Sequence, residues 1–397
     1  MIINETAIEN ICRINTKSIN PQDYPNEFFI HYSLPAFDNN KSAELQQGKD
    51  ILSNKYLITE PCVLFNKLNI RFKRIWLITD VKERMICSTE FLPLVPVNID
   101  LDYFYYLLLD DNFTVNLISE SKGTSNSHQR IKPKDLMDQR INIIEDIDLQ
   151  KAIAHKLKIL DQKIDSNQRG LIYLEELIKI LYKSWFNDFQ FPGGTCELMQ
   201  EVPKDWKISN VYDNVIEIRE KNLNNNDFPV LSVVKEGKFR LSEDVFTKQV
   251  YSKSTVNYKI VRRNQVAYNP ARANIGSIAM LTDFDVGLVS PIYVVFELKE
   301  TITPTFFYYY MKQPMFLENI KHHAIGTTRQ NFPFEAFKMF DIIVPPMELQ
   351  LRFEEIAKPI EQKIAKLKEE NAVLAEIRDT LLPKLISEEL PVEVGEA

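Results

Sequence analysis

Glycine is scarce in this chain, with ten residues in 397, against an ordinary share of about 7%. Loops that cradle phosphates need closely spaced glycines for their tight backbone, and no G-x-G occurs. Enzymes built around such loops are therefore not expected. Cysteine is thin as well. Cys12, Cys62, Cys87 and Cys196 lie far apart with no C-x-x-C pair, so neither a disulfide framework nor a zinc site is expected, and a reducing compartment fits. No apolar run approaches the length of a membrane span. The longest, Val286 to Phe296, is far too short, and Met1 to Glu5 carries no basic leader. A soluble cytoplasmic protein with no membrane partner is expected.

What is present is ordinary globular material, 45% hydrophobic and 26% charged, in a chain long enough for two or more domains. It is organised by an internal repeat. At a shift of 203, Val63 falls on Val266, Asn66 on Asn269, Phe104-Tyr105-Tyr106 on Phe307-Tyr308-Tyr309, and Gly123-Thr124 on Gly326-Thr327. At a shift of 200, Leu149-Gln150 falls on Leu349-Gln350 and Gln162-Lys163-Ile164 on Gln362-Lys363-Ile364. The chain reads as a tandem duplication in which each copy has a globular part, about 1–146 and 196–346, followed by a helical part, 147–190 and 347–388.

The globular parts mix short apolar runs with aromatic helical stretches and read as α+β. The helical parts carry apolar residues three and four apart. The first runs Leu149, Ile153, Leu157, Leu160, Ile164, Leu171, Leu174, Ile178, Leu181 and Trp185; the second runs Leu349, Phe353, Ile356, Ile360, Ile364, Leu367, Leu374, Ile377, Leu381 and Leu385. Each seam spans roughly 60 Å at 1.5 Å per residue. An antiparallel pair is expected, the alternative being that each helix packs only on its own globular part. Pro359 predicts a kink or a late start in the second helix. Asn167 and Asn371 fall on the seams, where polar residues can fix register.

The net charge is 48 minus 55, or −7, which at face value disfavours a polyanion partner. Its distribution says otherwise. Val245 to Thr282 contains no acid and holds Lys248, Lys253, Lys259, Arg262, Arg263 and Arg272. Pro61 to Thr79 is likewise acid-free, with Lys67, Arg71, Lys73 and Arg74 interleaved with Phe65, Phe72 and Trp76. Further basic stretches run from Ser121 to Lys134, with Lys122, Arg130, Lys132 and Lys134, and from Asn319 to Phe334, with Lys321 and Arg329 beside His322 and His323. A phosphate backbone feels such local faces. The loops after the matched Gly-Thr pairs are rich in side chains that bond base edges in the major groove. In the first copy these are Ser125, Asn126, His128 and Arg130; in the second they are Thr327, Thr328, Arg329, Gln330 and Asn331. Asn69, Asn269 and Arg272 join the candidate contacts.

No catalytic constellation is expected. Asn269-Pro270-Ala271-Arg272 lacks the second proline and the aromatic of an amino-methyltransferase loop, and Asp285 with Glu297-Leu298-Lys299 is too degenerate for a metal nuclease.

Together, Tyr268-Asn269-Pro270-Ala271-Arg272 with Ile275-Gly276-Ser277, Gly287-Leu288-Val289-Ser290-Pro291, Gly326-Thr327-Thr328-Arg329-Gln330, Ile343-Val344-Pro345-Pro346 and Ile377-Arg378-Asp379-Thr380-Leu381-Leu382-Pro383-Lys384-Leu385 form a recognisable pattern. So does Leu181-Tyr182-Lys183-Ser184-Trp185-Phe186-Asn187-Asp188-Phe189 at the end of the first helix. On these the whole chain resembles the specificity (S) subunits of type I restriction-modification systems. The first copy departs more, with Phe65-Asn66-Lys67-Leu68-Asn69 in place of the Tyr-Asn-Pro-Ala-Arg stretch and Ser88 in place of Pro291.

The resemblance implies a tandem repeat of two α+β target-recognition domains separated by two long antiparallel coiled-coil helices. It implies a non-catalytic subunit that reads a bipartite target in double-stranded DNA, with the helices as a ruler. Methyltransferase (M) subunits, commonly two, would dock on it and use S-adenosylmethionine, and restriction (R) subunits would use ATP and Mg2+. The alternatives are a coiled-coil adaptor or scaffold that binds protein and not DNA, and a nuclease or methyltransferase acting alone.

Overall fold

The computed structural model describes residues 3–39, 41–120, 130–193, 198–199, 202–245, 254–324 and 331–386. The chain divides into two compact units, Met1–Arg169 with Leu367–Ala397, and Gly170–Lys366. Each unit thus contains one globular part and a piece of both long helices.

In the first unit, a five-stranded mixed sheet runs in the order Ser18–Ile19, Lys55–Leu57, Met85–Ser88, Phe28–Tyr32, Glu44–Gln47, with Phe28–Tyr32 parallel to Met85–Ser88. A four-stranded antiparallel sheet runs Cys12–Ile14, Phe91–Pro96, Cys62–Asn66, Ile75–Ile78. The second unit repeats the latter as Val215–Ile218, Val294–Leu298, Val266–Tyr268, Ile278–Met280. The duplication extends to register: Val63 pairs with Leu77, and Val266 with Met280, each 203 residues on. In both units an early strand of the globular part pairs with the strand entering the long helix, Ile3–Ala7 with Arg140–Ile144 and Lys207–Asn210 with Asp341–Val344. Cys12, Cys62 and Cys87 are buried and unpaired; Cys196 lies outside the described residues.

The long helices span Ile147–Tyr182, continued by a wider π turn over Lys183–Asn187, and Met347–Ile386. The first begins where the Asp146 carboxylate accepts the backbone N–H groups of Asp148 and Leu149 at 2.9 and 3.2 Å, a capping arrangement that satisfies orphan donors. Within each unit the helix segments pair antiparallel. In the first, Leu382 and Leu385 join Leu149, Ile153 and Leu157 in one core, Arg378 reaches Asp161, and Asn371 reaches Asn167. In the second, Ile178, Tyr182 and Trp185 share a core with Leu349, Phe353 and Ala357. The globular cores pack on the same segments, so helix pairing and packing on the domain occur together.

Two expectations need correcting. Pro359 neither delays nor interrupts the second helix, which is continuous through it. Pro359 and Glu355, whose carbonyl loses its donor, are both exposed, so water can satisfy that group. Ile356 and Ile377 are 40% and 41% exposed; beside Ile356 it is Ala357 that is buried on the seam. Spacings of three and four both fit an apolar stripe, and the position that is buried is the one that meets a packing partner. Among the described residues no helix is long and apolar enough to cross a membrane.

Candidate nucleic-acid interface

The same local structure is built twice at the acid-free stretches. In the first unit the strand Cys62–Asn66 ends in a side-chain turn: the Asn66 carboxamide oxygen accepts the Leu68 N–H at 3.0 Å. A 3-10 turn, Ile70–Phe72, follows between left-handed residues Asn69 (φ 53°) and Lys73 (φ 38°). In the second unit the Asn269 oxygen accepts the Ala271 N–H at 3.1 Å, and the 3-10 turn Ala273–Ile275 ends at Gly276, φ 97°. Gly276 is required there, because a Cβ would lie 2.3 Å from the Lys235 carbonyl oxygen. At the equivalent position Lys73 adopts an unfavourable left-handed backbone. Its ammonium is held by the Leu109 carbonyl at 2.7 Å and Asp111 at 2.6 Å.

The chain returning from each Gly-Thr loop is tied to this turn. Ile131 N–H donates to the Lys67 carbonyl at 3.0 Å, and Phe332 N–H donates to the Pro270 carbonyl at 3.0 Å. Two basic stretches remote in sequence are therefore adjacent in each unit. Lys122, Ser125, Asn126, His128, Thr327, Thr328, Arg329 and Gln330 lie outside the described residues. Arg130 and Asn331, where the described chain resumes, are exposed.

The electrostatics sort the remaining candidates. Lys67 is only 9% exposed, and burial pushes its ammonium pKa down while Glu90 opposes the shift. A buried ammonium is poorly placed for phosphate. Several other cations already hold carboxylates. Arg74 makes two bonds to Asp38 at 2.7 and 2.8 Å, Arg130 meets Glu90 at 2.6 Å, Arg262 meets Glu220 at 2.7 Å, and Arg263 meets Asp285 at 2.8 Å. Arg71, Arg272 and Lys321 form no ion pair with any described residue, leaving their charge available to a polyanion. Asn69 and Asn269 are half-buried turn residues. These carboxylates were missed because they lie outside the acid-free windows, 22 to 42 residues away in the pairs of Arg74, Arg130, Arg262 and Arg263.

The residues considered for a nuclease site have structural partners: Asp285 holds Arg263, Glu297 accepts from Gln265 at 3.1 Å, and Lys299 donates to the Asp213 carbonyl at 2.8 Å. His322 and His323 close the short helix Pro314–His323, where His323 meets the Asn319 carbonyl oxygen at 2.9 Å.

Each globular part is also tied to a long helix by an equivalent bond. Tyr106 donates to Asp161 at 2.8 Å and Tyr309 to Glu361 at 2.9 Å. Gln150 and Gln350 accept the Asp100 and Thr303 N–H groups at 2.7 and 2.8 Å. The repeat made all four positions legible, but not their bonds.

Residues 203–377 match the type I restriction modification DNA specificity domain family. The specificity subunit of the HindI type I restriction enzyme of Haemophilus influenzae is 24% identical, over 97% of this chain and 99% of its own. The MjaIX specificity subunit of Methanocaldococcus jannaschii is 24% identical, over 74% of this chain and 69% of its own. The crystal structure of the type I restriction-modification S subunit of M. genitalium superposes with a TM-score of 0.59 at 15% identity, covering 97% of this chain and 96% of that one, a likeness of fold. The duplicated α+β architecture, the matched domain and the relative aligned nearly end to end agree: over almost its whole length the chain is similar to the specificity subunits of type I restriction-modification systems.

Proposed function

We propose that this chain is a specificity subunit of a type I restriction-modification system and reads a bipartite target in double-stranded DNA, one half by each recognition domain. The observation that carries the reading is the duplicated basic turn beside the returning Gly-Thr loop, with the same register and tie points but different polar residues. Asn126 corresponds to Arg329, His128 to Asn331, and Asn69 to Arg272. Matching scaffolds with differing donors and acceptors are what two different base preferences require. Domain boundaries at 1–146 and 196–346, with helical spacers 147–190 and 347–388, belong to this reading, as do the loop residues outside the described structure.

In this reading the subunit is itself non-catalytic. Methyltransferase subunits, two in number, dock on it and supply S-adenosylmethionine chemistry; restriction subunits join with ATP and Mg2+. The helices set the distance between half-sites, which one protein on one duplex face reads about a helical turn apart. The test is binding or methylation across a library of randomised two-part targets, with the methyltransferase subunit present and salt varied. Selection of two separated base clusters, with affinity falling steeply in salt, supports the reading. Salt-insensitive binding of protein alone would favour the adaptor alternative.

A further inference from the structure

Large apolar side chains stand exposed at the tip of each 3-10 turn: Phe72 is 56% exposed and Ile275 is 51% exposed. They are separated by 203 residues, the repeat distance. Among the described residues of the globular parts, no other two large exposed apolar side chains share that relation. A single exposed apolar residue needs no explanation. The same exposure on the same turn in two domains whose neighbouring letters differ points to a surface that meets something.

The surroundings select the occupant. Both tips lie in acid-free stretches, and each has a guanidinium with no ion-pair partner among the described residues, Arg71 beside Phe72 and Arg272 before Ile275. The Arg71 and Arg74 guanidinium carbons lie 5.0 and 5.3 Å from the Phe72 ring centroid. An apolar tip framed by cations suits a polyanion that also presents apolar surface. Duplex DNA does so through base faces and thymine methyl groups.

The tips are also held firmly. Lys73 is anchored to Leu109 and Asp111, and Gly276 is wedged against Lys235. Each turn packs on the short helix that leads into the Gly-Thr loop, Asp111–Glu120 in one unit and Pro314–His323 in the other.

We propose that Phe72 and Ile275 are specificity-determining residues, each burying its side chain against a nucleobase in the half-site of its own domain. The proposal rests on the two-part DNA reading above. Its test uses the full chain with its methyltransferase subunit, the two-part duplex selected by the wild type, and a library randomised in both halves. Phe72→Ala is expected to weaken binding to the selected duplex about ten-fold, within the range for losing an aromatic contact to a base. It should flatten preference at one or two positions of one half only, and Ile275→Ala should do so in the other half. The salt slope should stay unchanged, because no charge is removed. Phe72→Leu should recover most of the affinity, and unchanged thermal midpoints would confirm folding.

Uracil in place of thymine in that half-site separates the two modes: a loss seen in wild type but not in Phe72→Ala identifies a methyl contact, whereas insensitivity in wild type identifies ring stacking. Variants that bind and select as the wild type does, or that lose affinity equally on every sequence, would overturn the proposal. A wild type that selects no bases at all would instead overturn the reading beneath it.

Discussion

Asn167 donates from its carboxamide nitrogen to the carboxamide oxygen of Asn371 at 2.9 Å. The bond joins the two long helices within the first unit, and Asn167 is only 4% exposed. The Asn371 nitrogen in turn approaches the Ile164 carbonyl oxygen at 3.5 Å. A polar pair on an apolar seam is satisfied in one register and orphaned in others, so it selects that register at some cost in stability.

Replacing one partner should therefore do more harm than replacing both. Asn167→Leu is expected to destabilise by about 1 to 3 kcal/mol, since it leaves a polar group unsatisfied. Adding Asn371→Leu should restore most of the loss. Urea unfolding of the two single variants and the double variant measures the coupling; additive losses would show that the bond does not specify the pairing.

The two tyrosine ties should respond differently to pH. Asp161, which accepts from Tyr106, also meets Arg378 at 2.8 Å. Glu361, which accepts from Tyr309, forms no ion pair with any described residue; burial pushes its carboxyl pKa up, against the Tyr309 bond, with Glu354 raising it and Lys358 lowering it. A folded pKa above the unfolded one means that the folded state holds the extra proton. Stability from this group is thus fully present below the ordinary value of 4.5 and is lost as pH rises through the higher folded value. Glu361→Gln should flatten that fall in thermal midpoint, while Asp161→Asn should lose the ion pair to Arg378 and destabilise at neutral pH.

Cations without carboxylate partners should carry the phosphate contacts. Arg71→Ala or Lys321→Ala is expected to weaken binding to all duplexes similarly and to lower the salt slope by about one. Arg74→Ala and Arg263→Ala should change the slope less, because Asp38 and Asp285 already offset those charges. Equal slopes across the four variants would show that the ion pairs open on DNA.

The ruler is tested by removing one whole heptad from each helix, Asp165–Leu171 and Leu367–Val373, so that both seams resume in phase. Each helix shortens by about 10 Å. The favoured spacing between half-sites should change while the bases of each half do not; unchanged spacing in a folded variant would remove the helices from that role.

The duplication, the long helices and the basic stretches could all be read from the letters, because repeats, periodicity and local charge are properties of the sequence itself. Partners remote in the chain could not. Asp38, Glu90, Glu220 and Asp285 neutralise cations that look free in any short window. The five-stranded sheet depends on the parallel pairing of Phe28–Tyr32 with Met85–Ser88, which no neighbouring residues announce. Ile356 and Ile377 fit the apolar spacing but face outward, since spacing sets a stripe and the packing partners choose its edge.

The most direct test of one domain reading one half-site is Arg329→Ala, assayed by binding or methylation across the randomised two-part library with the methyltransferase subunit present. A bidentate guanine contact is worth about 1 to 3 kcal/mol, so the variant is predicted to lose that much on the selected target and to relax preference in one half alone. Relaxation of both halves together, or equal weakening on every sequence, would contradict the account.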